Sequence, residues 1–309
     1  MNTQFDVLVI GDINPDIMMI NYTKLPEPGQ ETHVERAELA LGGGGAITGT
    51  GLAKMGLKTA IYSYIGDDTM GKFMLKELEK TGVCTDYIKP KEGVGTGVSI
   101  ALTTKTDRSF LTYNGSNAFL DIDDVPEDVL SLANHIHLLG YSPVKHEKYV
   151  SFIKKIKAKG KTVSFDIGYD DTEEWSENIF DIVKLVDVFS PNEVEAQKYT
   201  RCNSVDKALK AFAEVANTIV VKKGPKGSVA YRNGEYADAP SFKTNCIDTT
   251  GAGDSFICGF LYGWLKELPL KQCLLYGNAV GAKSVEAYGG TPGVPNIGVI
   301  EEMVRTIGE

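Results

Sequence analysis

Short apolar runs that each end in a polar turn recur along the 309-residue chain, and they constrain its fold more than any other feature. The first run is VLVI at 7–10, and Gly11 and Asp12 follow it at once. Further runs of this kind lie at 59–65, 135–139, 162–165, 186–190 and 218–221. Continuous apolar runs of this length are typical of parallel strands that are buried on both faces of a sheet.

Apolar residues with a helical period occupy segments between these runs. The segments 71–80, 147–159 and 205–216 each place their apolar residues near one side of a helix. Strands that alternate with helices favour a doubly wound, mostly parallel sheet sandwiched by helices. The sequence therefore predicts an α/β fold.

Two segments break this alternation and predict a small β-sheet lid. ETHVERAELAL at 31–41 alternates apolar and polar residues, and 96–113 is typical of two strands around a turn at 105–107. Both segments are antiparallel in character. We interpret them as a lid, inserted at about 12–41 and 95–117, that covers the carboxyl edge of the sheet.

Composition and charge argue against several classes of partner and site. The net charge of −9 disfavours a nucleic-acid groove or an anionic membrane surface. Five scattered cysteines without a CxxC pair fit a reducing compartment, and no run reaches the roughly 20 apolar residues of a membrane helix. We therefore expect a cytoplasmic protein. No linker or repeat divides residues 1–309, which are expected to form one domain.

The stretch TTGAGDSF at 249–256 carries the candidate chemistry. Gly251, Ala252 and Gly253 would let the N–H groups of a helix N-terminus approach an anion closely. Asp254 then falls in the first helical turn, where its carboxylate could take a proton from a hydroxyl that attacks a bound phosphate. The plainer interpretation is a favourable acid at a helix start behind a loop. The residues alone leave both interpretations open.

Two polar residues follow the first apolar run. Asn14 and Asp16 lie just past the carboxyl end of the first predicted strand, which is the ligand edge of an open parallel sheet. A carboxylate that accepts hydrogen bonds from two hydroxyls suits a polyhydroxylated substrate. The stretch DINPD at 12–16 is equally consistent with simple turn chemistry.

Other nucleotide-binding signals are weak. GDDTMGK at 66–72 approaches a P-loop, but Phe73 stands where Ser or Thr should hold magnesium, so we interpret this stretch as a turn and helix cap. Lys222 and Lys223 follow a predicted strand, and the pattern fits either a phosphate contact by one of them or a solvated charge. The acidic run at 170–174 is expected to be a solvated helix N-terminus.

Over essentially its whole length, the sequence resembles the ribokinase-like, or PfkB, family of carbohydrate and nucleoside kinases. DTTGAGDSF at 248–256 resembles the family's C-terminal signature, which implies that Asp254 is the catalytic base and 251–253 the anion hole. LGGGGAITGTGLAKMG at 41–56 resembles its N-terminal glycine signature. The implied substrate-binding residues are Asn14, Asp16, Gly42, Gly43 and Ile47. Ile47 stands where the family usually has an asparagine that contacts the sugar, which leaves the substrate's identity open.

The resemblance also implies a nucleotide side. SPNEVEA at 190–196 is similar to the family's NxxE motif, which implies Asn192 near the triphosphate and Glu195 organising magnesium through water. VVKKGPKGS at 220–228 and the segment 276–295 are similar to the family's nucleotide loops. The expected ATP contacts there are Lys223, Gly224, Gly227 and Asn278.

The activity that the resemblance implies is ATP- and Mg²⁺-dependent phosphorylation of a hydroxymethyl group on a small sugar. A nucleoside kinase of the same family is the alternative, and a catalytically idle sugar- and nucleotide-binding sensor is the alternative from another class. Many family members bind potassium beside the anion hole. The residues that would surround such an ion here are Asp248, Thr250, Ser284, Gly289 and Gly293. Family members often pair through their lids, which implies a homodimer.

Overall fold

The computed structural model describes residues 3–22, 24–104 and 108–307. The strands in these ranges are β1 (Phe5–Ile10), β2 (Asn14–Ile20), β3 (Arg36–Gly42), β4 (Thr59–Gly66), β5 (Ile88–Lys91), β6 (Val98–Thr103), β7 (Arg108–Tyr113), β8 (Ala133–Leu139), β9 (Thr162–Asp166), β10 (Val188–Phe189), β11 (Thr218–Lys222), β12 (Ser228–Arg232) and β13 (Glu235–Ala239). The helices are α1 (Gly44–Lys54), α2 (Thr69–Glu79), α3 (Glu127–Ser131), α4 (His146–Ala158), α5 (Ile179–Val183), α6 (Glu193–Thr200), α7 (Val205–Ala213), α8 (Ala252–Leu265), α9 (Leu270–Ser284) and α10 (Ile297–Ile307).

A nine-stranded sheet forms the body of the molecule, in the order β13-β12-β11-β10-β9-β8-β1-β4-β5. The strands from β11 to β5 in this order run parallel, and β12 and β13 are antiparallel additions at one edge. The predicted doubly wound, mostly parallel sheet is therefore confirmed. Every apolar run that the sequence predicts as a strand pairs within this sheet.

The continuous apolar runs are explained by burial on both faces of the sheet. In β1, Leu8 and Ile10 pack in one hydrophobic core, whereas Val7 and Val9 pack in a second core on the opposite face. Helices α4, α5 and α7 supply apolar residues to the first core, and α1, α2, α8 and α9 supply them to the second. Because neither face of β1 meets water, no polar residue interrupts the run.

The lid is a separate four-stranded sheet in the order β3-β2-β6-β7. Its outer pairs, β2–β3 and β6–β7, are antiparallel as predicted, but its central pair, β2–β6, is parallel. The reason is that β2 follows β1 and β6 follows β5, and both of these body strands point to the same edge of the large sheet. The turn predicted at 105–107 lies outside the described residues.

Two local predictions have different outcomes. Asp68 is the N-cap of α2 and accepts a hydrogen bond from the Gly71 N–H, so the turn-and-cap interpretation of 66–72 is confirmed. The helix N-terminus expected at 170–174 is wrong, because Asp170 is buried and its carboxylate accepts hydrogen bonds from the N–H groups of Thr172 and Trp175 in a loop. None of the helices within the described ranges combines the length and the apolar character needed to cross a membrane.

Candidate active site

The carboxyl ends of β1, β9 and β11 converge on the N-terminus of α8. Asp12 follows β1 after one residue, Asp166 ends β9 and Lys222 ends β11. Loops that leave the carboxyl ends of parallel strands form the ligand edge of such a sheet. The predicted base and anion cradle at 251–254 therefore lie at this edge, among charged side chains from strands far apart in sequence.

The cradle depends on an unusual backbone at Gly251. This residue precedes α8 with a φ of +66°, in the left-handed region that favours glycine. A Cβ built on it would stand 2.7 Å from the Cδ1 atom of Ile47, so space also requires glycine here. The first N–H groups of α8 have no carbonyl partner within the helix and carry its positive dipole end. The Ala252 N–H donates to the Thr249 carbonyl oxygen at 3.2 Å, and this end of the helix is where the sequence predicts an anion site.

Asp254 lies in the first turn of α8 and is half-buried. The pKa of Asp254 is raised to about 8, chiefly by burial and also by the Asp166 and Asp12 carboxylates, while the Lys222 ammonium lowers it. A base is most effective when its pKa lies near the working pH, because it is then unprotonated yet still basic. The environment of Asp254 thus suits a carboxylate that accepts a proton from a hydroxyl.

Asn14 and Asp16 form a buried polar pair at the start of β2. The Asn14 amide donates a hydrogen bond of 2.8 Å to an Asp16 carboxylate oxygen. Burial raises the pKa of Asp16 to about 7, an effect that Asn14 opposes. Gly42 makes room for this carboxylate, since a Cβ there would overlap it, and a Cβ on Gly43 would meet the Asn14 side-chain oxygen at 2.9 Å. The glycine signature thus permits polar side chains to occupy this part of the ligand edge.

Ile47 lies in α1 and is buried. Its Cδ1 atom would stand 2.7 Å from a Cβ at Gly251 and would overlap a Cβ at Gly290. The side chain therefore packs between the anion cradle and the loop before α10. It presents an apolar surface at a position for which the family resemblance implies an amide.

Asn192 and Glu195 are bound to each other at the N-terminus of α6. The Asn192 side-chain oxygen accepts hydrogen bonds from the N–H groups of Val194 and Glu195, and both Glu195 oxygens accept hydrogen bonds from Asn192. This capping box fixes both side chains next to β11, because Asn192 also pairs with Lys222 in an isolated parallel bridge. Burial raises the pKa of Glu195, which Lys222 opposes.

The remaining nucleotide-side residues form a turn after β11 that meets α9. Lys223 donates its N–H to the Gly227 carbonyl oxygen, and Gly224 and Gly227 both have a positive φ. A Cβ at Gly227 would overlap the carbonyl oxygen of Ala239. The buried Asn278 amide donates to that same oxygen, at 3.1 Å. The structure therefore brings Gly227 and Asn278 to one place through a shared contact with β13.

The residues proposed for a monovalent cation also lie together. Asp248 accepts hydrogen bonds from the N–H groups of Thr250 and Gly289, and a Cβ on Gly293 would overlap the Ser284 carbonyl oxygen. Within the described ranges, no group of three or more His, Cys, Asp or Glu side chains is arranged to hold a metal ion by itself.

Three further charged residues lie at this edge: Asp12 and Asp166 are absent from the site that the sequence predicts, and for Lys222 the sequence leaves a phosphate contact open. Asp166 and Lys222 form an ion pair with an Oδ2–Nζ distance of 2.5 Å, and their side chains are 7% and 11% exposed. An oxygen of Asp12 and an oxygen of Asp254 lie 3.4 and 3.3 Å from the Cβ position of Gly44. The one signal for all three was their place at or just after the carboxyl end of a predicted strand.

The chain and its fold are similar to those of known carbohydrate kinases. The family model described as pfkB family carbohydrate kinase matches residues 4–297. An uncharacterized sugar kinase of Archaeoglobus fulgidus is 30% identical over 79% of this chain and 98% of its own. A 5-dehydro-2-deoxygluconokinase of Geobacillus kaustophilus is 27% identical over 97% of this chain and 93% of its own. The crystal structure of a ribokinase from Thermotoga maritima superposes with a TM-score of 0.83 at 26% identity, covering 97% of this chain and 99% of that one.

Proposed function

Because the chain belongs to the pfkB family of carbohydrate kinases, we propose that it transfers the terminal phosphoryl group of ATP to a hydroxymethyl group of a small sugar. The observation that carries this proposal is the position of Asp254. Its carboxylate lies beside an anion cradle, at an edge that has the Asn14–Asp16 pair on β2 and the Asn192–Glu195 pair on α6. One group can thus contact the sugar hydroxyl while the phosphate is held next to it.

Each group of residues has a separate role in the proposed reaction. Asn14 and Asp16 hold sugar hydroxyls, and Asp254 accepts the proton of the attacking hydroxyl. A bond forms between that oxygen and the terminal phosphorus, while the bond from this phosphorus to the bridging oxygen breaks and ADP leaves with the electron pair. The amides at 251–253 stabilise the charge on the transferring oxygens. The lid covers the sugar and excludes water that would otherwise hydrolyse ATP.

The buried carboxylate on the nucleotide side is compatible with magnesium. Glu195 uses both oxygens to accept hydrogen bonds from Asn192, and each oxygen keeps a second lone pair for a water molecule. A bound Mg²⁺ keeps several waters and is usually held through few carboxylates and the substrate phosphates, which fits a site without a cage of protein ligands. The ion neutralises charge on the nucleotide phosphates.

The same proposal includes a monovalent-cation site, a homodimer and a cytoplasmic location. The cluster of Asp248, Ser284, Gly289 and Gly293 next to the cradle supports the cation site. Exposed apolar residues on the lid support pairing of two lids. The five cysteines are all free thiols in the structure, in accord with a reducing compartment.

The acceptor is best sought among deoxygenated sugars and sugar acids. Relatives that match most of the chain include proteins named 5-dehydro-2-deoxygluconokinase and 2-dehydro-3-deoxygluconokinase. The apolar Ile47 suits a substrate that lacks one hydroxyl.

The test is an ATP-consumption assay with D254N as the inactive control. The acceptors are the two sugars after which these relatives are named, together with ribose, fructose and a set of nucleosides. We expect phosphorylation of a sugar with a phosphate product detected by mass spectrometry. If the protein prefers a nucleoside, the acceptor is a nucleoside and not the proposed sugar. Tight binding of ATP and sugar without turnover would identify a sensor instead.

A further inference from the structure

Lys222 is a buried cation that the proposed reaction, as described so far, does not use. It is the last residue of β11, and its backbone N–H donates to the Pro191 carbonyl oxygen at 3.1 Å. Its side chain is 11% exposed, and its ammonium donates to Asp166 at 2.5 Å. A lysine rarely gives up water to this extent unless neighbouring charges compensate for the loss. The position of this ammonium is therefore set by its surroundings.

The ammonium lies against the first turn of α8. Its Nζ atom would stand 3.4 Å from a Cβ at Gly253, the third residue of the predicted cradle. Glycine therefore leaves the space between the helix N-terminus and the ammonium free of a side chain. An anion placed on the amides of this turn would lie beside a full positive charge as well as the helix dipole.

Two of the three N–H donors of this ammonium remain available. Among the residues that the structure describes, Asp166 is the one hydrogen-bond partner of the Lys222 ammonium. A lysine ammonium has three donors. Asp166 thus fixes the direction of the side chain with one donor, and the others can reach a ligand in the cradle.

Carboxylates surround this position, so a phosphate needs a cation there. Asp166, Glu195 and Asp254 all raise the pKa of Lys222, which keeps it charged although burial opposes this. Three acids beside the cradle would repel a triphosphate. A cation that already lies among them reduces this repulsion, and it needs no reorganisation when the phosphoryl group arrives.

We propose that Lys222 is a catalytic residue, whose ammonium donates a hydrogen bond to the transferring phosphoryl group in the cradle, with Asp166 as the positioning residue that aims it. The proposal rests on the phosphoryl transfer proposed above. Lys222 stabilises the negative charge of the phosphoryl oxygens during transfer, and it simultaneously favours the ionised form of the base.

The effect on the base follows from the groups that face Asp254. Asp12 after β1 and Asp166 on β9 raise the pKa of Asp254, and Lys222 on β11 lowers it. Cys258, one turn further along α8, donates its Sγ–H to the Asp254 carbonyl oxygen and faces it as a neutral thiol. Removing the ammonium leaves the two carboxylates unopposed. The pKa of Asp254 then rises, and the acid limb of the pH–rate profile moves to higher pH.

The first experiment measures nucleotide binding and does not require turnover. Calorimetry compares the magnesium complexes of ADP and of a non-hydrolysable ATP analogue for the wild type, K222M and the control K210M. K222M removes the charge at similar length, and K210M removes the charge of an exposed lysine on α7 that lies outside the proposed site. We expect K222M to weaken binding of the triphosphate analogue by about tenfold and binding of ADP by much less, since a charge-assisted hydrogen bond to the terminal phosphate is lost. K210M should leave the ratio of the two affinities nearly unchanged.

The second experiment measures kcat and KM of K222M and K222R across pH. In K222M, kcat should fall by about 10²-fold or more, the sugar KM should change by less than about threefold, and the acid limb should move up in pH. K222R should keep the limb near its wild-type position, because it keeps the charge.

Two results would overturn the role of Lys222. One is equal loss of affinity for ADP and the triphosphate analogue. The other is a fall in kcat with an unmoved acid limb, which indicates a structural role for the Lys222–Asp166 pair. If the wild type phosphorylates no acceptor, the proposed function fails, and the calorimetry alone still decides whether Lys222 contacts the terminal phosphate.

Discussion

Asp254 is the residue on which the proposed chemistry depends most. D254N removes the base and keeps the shape of the side chain. Since Asn cannot accept the hydroxyl proton, turnover should fall by at least about 10²-fold, while both substrates bind nearly as in the wild type. Single-turnover kinetics with binding measured separately will check this. Near-wild-type turnover under conditions where chemistry limits the rate would show that Asp254 is not the base.

The pH dependence of the wild type follows from the same residue. A base acts only in its unprotonated form, and the pKa of Asp254 is raised to about 8. The value of kcat/KM should therefore increase as pH rises toward about 8 and level off above it. The measurement is a pH profile of kcat/KM at constant ionic strength. A profile that is flat from pH 6 to about 9 would contradict this assignment.

Ile47 should discriminate against substrates with a hydroxyl that points at it. An unpaired hydroxyl costs roughly 1–3 kcal/mol, or about one to two decades of specificity. Ribose should therefore be a poor substrate, and I47N should move preference toward ribose or fructose. Because Ile47 also packs against Gly251 and Gly290, I47V is the matched control for lost packing. If the wild type prefers ribose to every other acceptor tested, position 47 does not act in this way.

The sequence predicted the residues that are local in the chain better than those that come together only in the fold. Asp254 and its glycines are consecutive, so helix geometry alone places the acid beside the cradle. Asp12, Asp166 and Lys222 come from β1, β9 and β11. Their meeting depends on the order of strands in the sheet, which no local pattern contains.

At the scale of elements, the loop at 288–294 should make activation by potassium modest. The Lys54 ammonium donates to the carbonyl oxygens of Val294 at 2.8 Å and Thr291 at 3.4 Å, so one cation of the chain already holds part of this loop. Potassium would add order only around Asp248 and Gly289. Initial rates in potassium should exceed those in tetramethylammonium at matched ionic strength by about two- to fivefold. Equal rates would argue against the site.

Strands with a clear apolar pattern were predicted well. Features that depend on neighbouring elements in the fold were not. The apolar runs predicted the strands of the parallel sheet, because burial on both faces fixes their composition. The parallel pairing of β2 with β6 was missed, since it depends on β1 and β5 ending at the same edge of the large sheet. Residues 170–174 were misassigned because Asp170 bonds locally to Thr172 and Trp175, in competition with a helix.

At the scale of the whole molecule, the lid has an apolar row on one face. Leu39, Ile17, Ile100 and Leu111 are paired in register across its four strands, and directly paired residues point to the same side of a sheet. Leu39 is 44% and Leu111 62% exposed. The sequence predicted the apolar alternation of β3, although Leu41 is buried within the protein and does not contribute. A row of this kind on a small sheet favours association.

We therefore predict a homodimer in which the apolar faces of two lids pack together. L111D places a charge within that contact and should produce a monomer, because an unpaired buried carboxylate is too costly to retain. V144D is the control, since Val144 is 89% exposed and lies outside the lid sheet. Light scattering over a wide range of protein concentration will give the mass of each. A monomeric wild type throughout that range would refute the dimer, and dissociation by V144D as well as L111D would place the contact elsewhere.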